Sequence, residues 1–319
     1  MYFSWKLCAS DPEWAVLLVF DALASLPLLQ DLQLHCWSVP EPPWQLRQLP
    51  HMVNFTFTSE WELDNDCSII IPVARFIGLS QPKLKTLIIA VQQSYANQNT
   101  PKFNDFLSET PGSAFLNITH LSLSGLFVEL DATFIPHFRS LISLHIKNIF
   151  SPADQASGNP EPCSANVTVW SSLRLENIYL QEIVTDYVQI ALIEYLTSFS
   201  GLRRLRLTHA SRHDIPPLVS DQLATEFYGR ALRNHVHSLE SLEINAKDEG
   251  NWCFASHCSG IIKQCACLTS LKLSVSSKDT EVERDGDDDD DKDGDENGGD
   301  DDEEDSSAGR GKRNAIVCF

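Results

Sequence analysis

The sequence predicts an α/β solenoid, with a parallel sheet on its concave side, helices or irregular loops on its convex side, and an acidic, disordered C-terminal tail. Three observations predict it. An apolar triplet at spacing i, i+3, i+5 returns nine times along the chain. Helix-start signals stand in the longer stretches between triplets. Near Lys278 the composition turns abruptly acidic.

The triplets are Leu29-Leu32-Leu34, Met52-Phe55-Phe57, Leu84-Leu87-Ile89, Ile118-Leu121-Leu123, Leu141-Leu144-Ile146, Leu175-Ile178-Leu180, Leu202-Leu205-Leu207, Leu239-Leu242-Ile244 and Leu268-Leu271-Leu273. Their leads are separated by 23, 32, 34, 23, 34, 27, 37 and 29 residues. Leucine-rich repeats recur every 20–29 residues or so, and these separations fall in or above that range. The last two triplet positions are two residues apart, so they share one face of a short strand. The first packs on the turn leading into it. One such unit cannot bury its apolar edge alone, whereas stacked neighbours bury it continuously.

A chain of 319 residues with 43% apolar content can bury a large core. Length alone would suggest two domains, but a solenoid grows in one dimension and escapes that limit. The expected organisation is a nine-repeat solenoid over residues 1–278, with the N-terminal helix as its cap, followed by the tail over 279–319.

Between triplets, Ser10-Asp11-Pro12-Glu13 reads as the start of a helix over Trp14 to Ser25. Thr185-Asp186 can cap a helix from Tyr187 to about Phe199, which Gly201 then ends. Ser220-Asp221 can cap one from Gln222 to about His235, and Ile261, Ile262 and Cys265 fit a shorter helix before the last triplet. The Pro-, Ser- and Gly-rich stretches Ser38–Pro50 and Ser151–Pro162 read as loop insertions.

From Asp279 to Asp305 there are 18 acidic residues and two basic ones. Such a segment cannot offset its ordering entropy by burial. It also holds most of the net charge of −20, since the residues before Asp279 carry only −7. A tail of this kind repels nucleic acid and attracts basic proteins such as histones, or a basic patch on its own body. Asp289-x-Asp291-x-Asp293-Gly294 opens like a calcium loop, but Asp300 stands where the bidentate Glu belongs and no helix pattern flanks it. Arg310-Gly311-Lys312-Arg313 has the character of part of a nuclear import signal.

No apolar run approaches the length a bilayer span needs, about 20 residues. The N-terminus has no basic n-region, so no signal peptide is read. Nine cysteines without a paired framework fit a reducing compartment. Together these place the protein in the cytoplasm or nucleus, with no membrane and no nucleic-acid partner. The sequons at Asn54, Asn117 and Asn166 are then incidental. Cys253, Cys258, Cys265 and Cys267, with His257 among them, lack the paired CxxC knuckles of structural zinc sites. Buried packing suits them better. No nucleophile elbow, phosphate-binding loop, HExxH or dinucleotide fingerprint occurs. The expectation is a non-enzymatic protein with no cofactor, no catalytic residue and no metal.

Outward strand positions flank the inner residue of each triplet. They name the concave binding face: Thr86 and Ile88, His120 and Ser122, Ser143 and His145, Asn177 and Tyr179, Arg204 and Arg206, Ser241 and Glu243, Ser270 and Lys272. The candidates for ligand contact are His120, His145, Tyr179, Arg204, Arg206, Glu243 and Lys272. Tyr179, Arg204 and Arg206 lead, because Tyr and Arg are enriched at interface hot spots.

Through "FLNITHLSLSGL", "FSGLRRLRLTHA" and "CACLTSLKLSV", the stretch from Leu29 to Leu273 resembles the leucine-rich-repeat region of F-box/LRR proteins, especially the divergent ones common in fungi. Cys265-x-x-Leu268-x-x-Leu271-x-Leu273 resembles the cysteine-containing repeat class, in which a buried Cys ends the helix before the strand. The resemblance implies a protein ligand held by the repeats and, through an F-box, a cullin-ligase adaptor as second partner. No F-box helix pattern precedes Leu29, and "PEWAVLLVFDALASLP" is only loosely similar. The ninth repeat position holds Leu126, Ile149 and Ile183 in place of Asn, so no Asn ladder is expected. Repeats, acidic tail and basic end together also resemble the acidic leucine-rich nuclear phosphoproteins, which implies histones or other basic partners.

Overall fold

The computed structural model describes residues 1–319 except 9, 38–48, 50, 61–68, 81–82, 93–99, 111–114, 150–163, 211–214, 276–313 and 319. Ten strands form one parallel sheet in chain order, each hydrogen-bonded to the strand before it. They are β1 (Tyr2–Leu7), β2 (Asp31–Cys36), β3 (Asn54–Ser59), β4 (Thr86–Val91), β5 (His120–Ser124), β6 (Ser143–Lys147), β7 (Glu182–Thr185), β8 (Arg204–Leu207), β9 (Ser241–Ile244) and β10 (Ser270–Ser274). An eleventh strand, β11 (Asn314–Cys318), lies antiparallel on β10. Among the described residues six α-helices serve as crossovers: α1 (Glu13–Ala24), α2 (Ile70–Leu79), α3 (Ser164–Leu175), α4 (Ile190–Thr197), α5 (Pro217–Glu226) and α6 (Ser256–Lys263). Tight 3-10 turns at Phe103–Leu107 and Ile135–Phe138 take that place before β5 and β6.

The triplet explains the register. Its two strand residues form continuous inward rows, one running Phe3, Leu32, Phe55, Leu87, Leu121, Leu144, Ile183, Leu205, Leu242, Leu271 across the paired strands. From Leu32 onward every member is buried, and Leu121, Leu144 and Leu205 belong to one apolar core with helix residues such as Val16, Phe76 and Leu192. The opposite sheet face carries most of the polar members of the strands and is partly or wholly exposed along most of its length, with Ser143 and Val184 buried at its middle.

Polar side chains inside this core tie adjacent units together. The Tyr195 hydroxyl donates to the Ile178 carbonyl (2.8 Å) and accepts the Leu180 N–H (3.0 Å), fixing the turn into β7. His235 accepts the Leu202 N–H at Nδ1 and meets the Leu196 carbonyl at Nε2. His137 accepts the Leu116 N–H in the same manner. These bonds satisfy loop groups that no ladder reaches, which a buried turn requires.

Several expectations change. β1 precedes the first triplet, so α1 is a crossover between two strands, not an end cap. The chain before Glu13 does not cap α1 by a side chain; Asp11 accepts the Cys8 N–H instead. The helix expected from Tyr187 begins at Ile190. The one expected from Gln222 starts at Pro217, whose missing N–H costs nothing in a first turn. It then relaxes through a π-turn at Phe227–Ala231 into a 3-10 turn at Leu232–His235. Gly201 does follow α4, at φ +105°, a conformation that favours glycine. The expected tail gives up Asn314–Cys318 to β11. The insertions at 38–50 and 151–162, the acidic run, the calcium-like stretch and the basic cluster at 310–313 fall wholly or almost wholly outside the described residues.

Candidate functional site

The parallel register sets the outer face in rows as regular as the inner ones. The first row reads Tyr2, Asp31, Asn54, Thr86, His120, Ser143, Glu182, Arg204, Ser241, Ser270; the second reads Ser4, Gln33, Thr56, Ile88, Ser122, His145, Val184, Arg206, Glu243, Lys272. Neighbours along a row sit one strand spacing apart, about 4.8 Å. Six of the seven candidate contact residues therefore stand on this face: His120, His145, Arg204, Arg206, Glu243 and Lys272.

Tyr179 does not. The strand expected at Ile178–Leu180 forms a few residues later, over Glu182–Thr185. Asn177 takes φ +56° in the preceding turn, and Tyr179 stacks on Phe199 with ring centroids 5.2 Å apart and donates to the Asn177 Oδ1. Leu175, expected as a buried lead, is 76% exposed at the end of α3. The unit that exists is Leu180-Ile183-Thr185, with a buried Thr where the pattern calls for an apolar residue. Thr185 satisfies its hydroxyl on the Tyr187 carbonyl and accepts the Tyr187 N–H, so a polar side chain fits there. Glu182 and Val184 occupy the outward positions that Asn177 and Tyr179 were expected to take. The strand signal was present as Ile183-Val184-Thr185, a β-branched run.

The face divides electrostatically. From β2 to β5 it presents mainly amides and hydroxyls, joined by short cross-strand bonds: Asn54 to Asp31, and Thr58 to His35 at 2.6 Å. From β6 to β10 it presents charges. His145 Nε2 lies 3.4 Å from the Glu182 carboxylate and 3.3 Å from the Ser143 hydroxyl. Burial of its ring holds the His145 pKa below the usual value, and the Glu182 carboxylate offsets only part of that. His120 and His145 lie on adjacent strands but one row apart, because His145 pairs with Ser122. Glu243 accepts from Arg206 at 3.1 Å on one side and from Lys272 at 2.9 Å on the other, forming a three-member bridge across β8, β9 and β10. Arg203, just before β8, meets Glu240 at 3.6 Å. Arg204 is exposed and has no ion-pair partner among the described residues. Among the described residues the geometry thus offers an exposed guanidinium without an ion-pair partner beside a pre-ordered, mixed-charge patch.

Elsewhere, Cys253, Cys258 and Cys265 are buried and Cys267 is exposed. Burial raises the Cys258 and Cys265 thiols above their ordinary range, which disfavours the thiolate a metal would need. Among the described residues no three His, Cys, Asp or Glu side chains gather as metal ligands. A groove of about 390 Å³ runs between the helical segments before β9 and β10, lined by Tyr228, Arg233, Asn251, His257 and Gly260. There the His257 Nε2 is 2.9 Å from the Asn251 carbonyl. Among the described residues no helix is long and apolar enough to cross a membrane.

Comparison with protein-family models, with curated proteins and with solved structures finds no match to this chain.

Proposed function

We propose that this chain is a non-enzymatic protein-interaction scaffold of the leucine-rich-repeat type, which holds a protein partner across the outer face of its sheet. The observation that carries the reading is the division of labour between the faces. The strands repeat in one register over ten units, their inner rows are committed to a single core, and their outer rows bear polar groups with a charged patch at one end. A long, evenly spaced array of this kind suits an extended protein surface better than a small substrate, for which a concave cavity is the usual site. Within the patch, Arg204 is the anchor, because its guanidinium can take a partner carboxylate in a bidentate pair.

The finer reading follows from the resemblance of its repeats: the substrate-recognition part of an F-box/LRR-type ubiquitin-ligase receptor. The competing reading, a nuclear factor that binds histones or other basic proteins, draws on the acidic run over 279–305. The exposed cation at Arg204 favours the first, since it would repel a basic partner on this face. The test is affinity capture on the immobilised chain and on Arg204→Glu, with cross-linking to locate contacts. The proposal expects a captured protein cross-linked to the β6–β10 strands and lost from the Arg204→Glu column, with a cullin-ligase adaptor in the eluate. Histones that bind both columns equally would favour the nuclear reading. Cross-links confined to the helical side would overturn the assignment of the face.

A further inference from the structure

The two lateral edges of the sheet differ. At one, β11 covers β10 with an antiparallel strand of the same chain. At the other, β1 pairs only with β2 among the described residues. The Gln30 and Asp31 N–H groups both donate to the Met1 carbonyl, and the Trp37 N–H donates to the Leu7 carbonyl. In a parallel ladder the residues facing the partner strand alternate. Odd-numbered residues of β1 therefore bond to β2, and Tyr2, Ser4 and Lys6 turn both backbone N–H and C=O outward. Such a row is a template for another strand, and Lys6 is the single charge on it that would discourage pairing. Apolar surface surrounds it. Tyr2 is 57% exposed and Met1 60%, and Leu28, two residues before Gln30, is 72% exposed.

We propose that β1 is a dimerisation edge that takes β1 of a second copy of this chain, antiparallel, about a twofold axis at Ser4. This goes beyond the partner-binding role of the outer face. The strand is self-complementary in that register. Ser4 faces Ser4 of the second copy, and Tyr2 faces its Lys6, so all three outward residues form two-bond pairs and no exposed edge group is left over. Phe3 then faces Trp5 in the intervening close pairs, where aromatic side chains meet. On the outer face, Lys6 of the second copy, its ammonium over the Trp37 ring of its own chain at 5.0 Å, stands beside Tyr2 and lies two strand spacings, about 10 Å, from Asp31, which has the opposite sign. The two copies of Lys6 stand at opposite ends of the pair. A one-position slip would set outward residues against inward ones, and a two-position slip would keep only two of the three bonded pairs, so the register centred on Ser4 makes the most backbone bonds.

Sedimentation velocity over a range of concentrations, on the whole chain and on Ser4→Pro, tests this. Proline at Ser4 removes an N–H that points away from β2, so it leaves the β1–β2 ladder intact and is tolerated on an edge. The expected result is a dimer for the unmodified chain. Ser4→Pro should keep its circular dichroism and melting temperature while its dimer dissociation constant rises at least about tenfold. A Ser4→Cys variant adds a test of register. Facing residues of a bonded pair have Cα atoms about 5.5 Å apart, within disulfide reach. Mild oxidation should therefore join the two introduced thiols, and mass spectrometry should find the β1 peptide disulfide-linked to its own copy. A chain that stays monomeric throughout overturns the proposal, as does a dimer unchanged by Ser4→Pro in which Ser4→Cys gives no such link.

Discussion

Successive residues of one strand serve two different regions of the molecule. In β8, Leu205 and Leu207 are sealed in the core, while Arg204 and Arg206 stand in solvent on the opposite face. The same alternation holds in β2, β3 and β9. The two faces share a backbone and a register, so any difference in their response to substitution reflects burial and pairing, not local conformation. The inner face answers to packing and to satisfied hydrogen bonds. Under the proposed function, the outer face answers to a partner.

The sharpest contrast is Leu205→Ala against its neighbour Arg204→Ala. Removing a fully buried Leu loses transfer free energy and leaves a cavity, a cost of about 2–5 kcal/mol. Arg204→Ala on the outer face should stay within about 0.5 kcal/mol of the parent. Urea midpoints at unchanged slope would measure both. Comparable losses at the two sites would mean that the outer face is itself structural.

Inward polar groups should behave like inward leucines. Tyr195→Phe deletes a hydroxyl that satisfies both the Ile178 carbonyl and the Leu180 N–H. Two buried backbone groups lose their partner, which costs on the order of 1–3 kcal/mol. Amide exchange at Leu180 should quicken by more than at Leu205 on the next strand. Uniform quickening across the sheet would show that the hydroxyl pins no particular turn.

The same comparison can be drawn with acid. Burial pushes the pKa of His235 down to about 4, and the Leu196 carbonyl restores only part of it. The folded-state value lies below the ordinary 6.5, so protons bind the unfolded chain preferentially. The stabilisation is complete above pH 6.5 and is lost as pH falls through that value toward about 4. His137 is lowered by burial in the same direction. For His235 alone the loss between about pH 7 and about pH 5 is about 2 kcal/mol. Urea melts at the two pH values should show it, and His235→Asn should flatten the slope. A parent slope already flat would mean that the ring is open to water.

These contrasts also show what the residues disclosed. Eight of the nine triplets lie on the strands they named, since an inward pair such as Leu121 and Leu123 obeys the strand's period of two. The Leu175 triplet misled because three leucine-class residues at the right spacing ended α3 and its turn, while the true strand closed its pair with a buried Thr. Tyr179 was misplaced with it. β1 was missed for a related reason: its inward Phe3, Trp5 and Leu7 keep the strand's period of two but do not show the i, i+3, i+5 spacing among themselves. α2 gives no warning either, since Ile69 and Ile70 at its start offer no capping side chain. The outer-face candidates could be named as positions, but their pairing could not. That Glu243 serves Arg206 and Lys272 together depends on a register linking residues 37 and 29 positions apart.

That bridge gives the smallest effect on stability and the most direct test of the outer face. Glu243→Gln keeps the shape and removes the charge between Arg206 and Lys272. All three side chains reach solvent, so the pairing contributes no more than about 1 kcal/mol, and salt screens it. Stability should therefore change little, and less still at high ionic strength. Binding should change more. With the carboxylate gone, Arg206 and Lys272 lose their shared counter-charge and, with Arg204, make the face more positive across three consecutive strands. An acidic partner should then associate faster at low salt, with the gain fading as salt is added. Stopped-flow association at two ionic strengths, with a partner identified by capture, measures this. A slower rate at low salt would show that Glu243 contacts the partner itself, and would move the anchor of the face from Arg204 to the bridge.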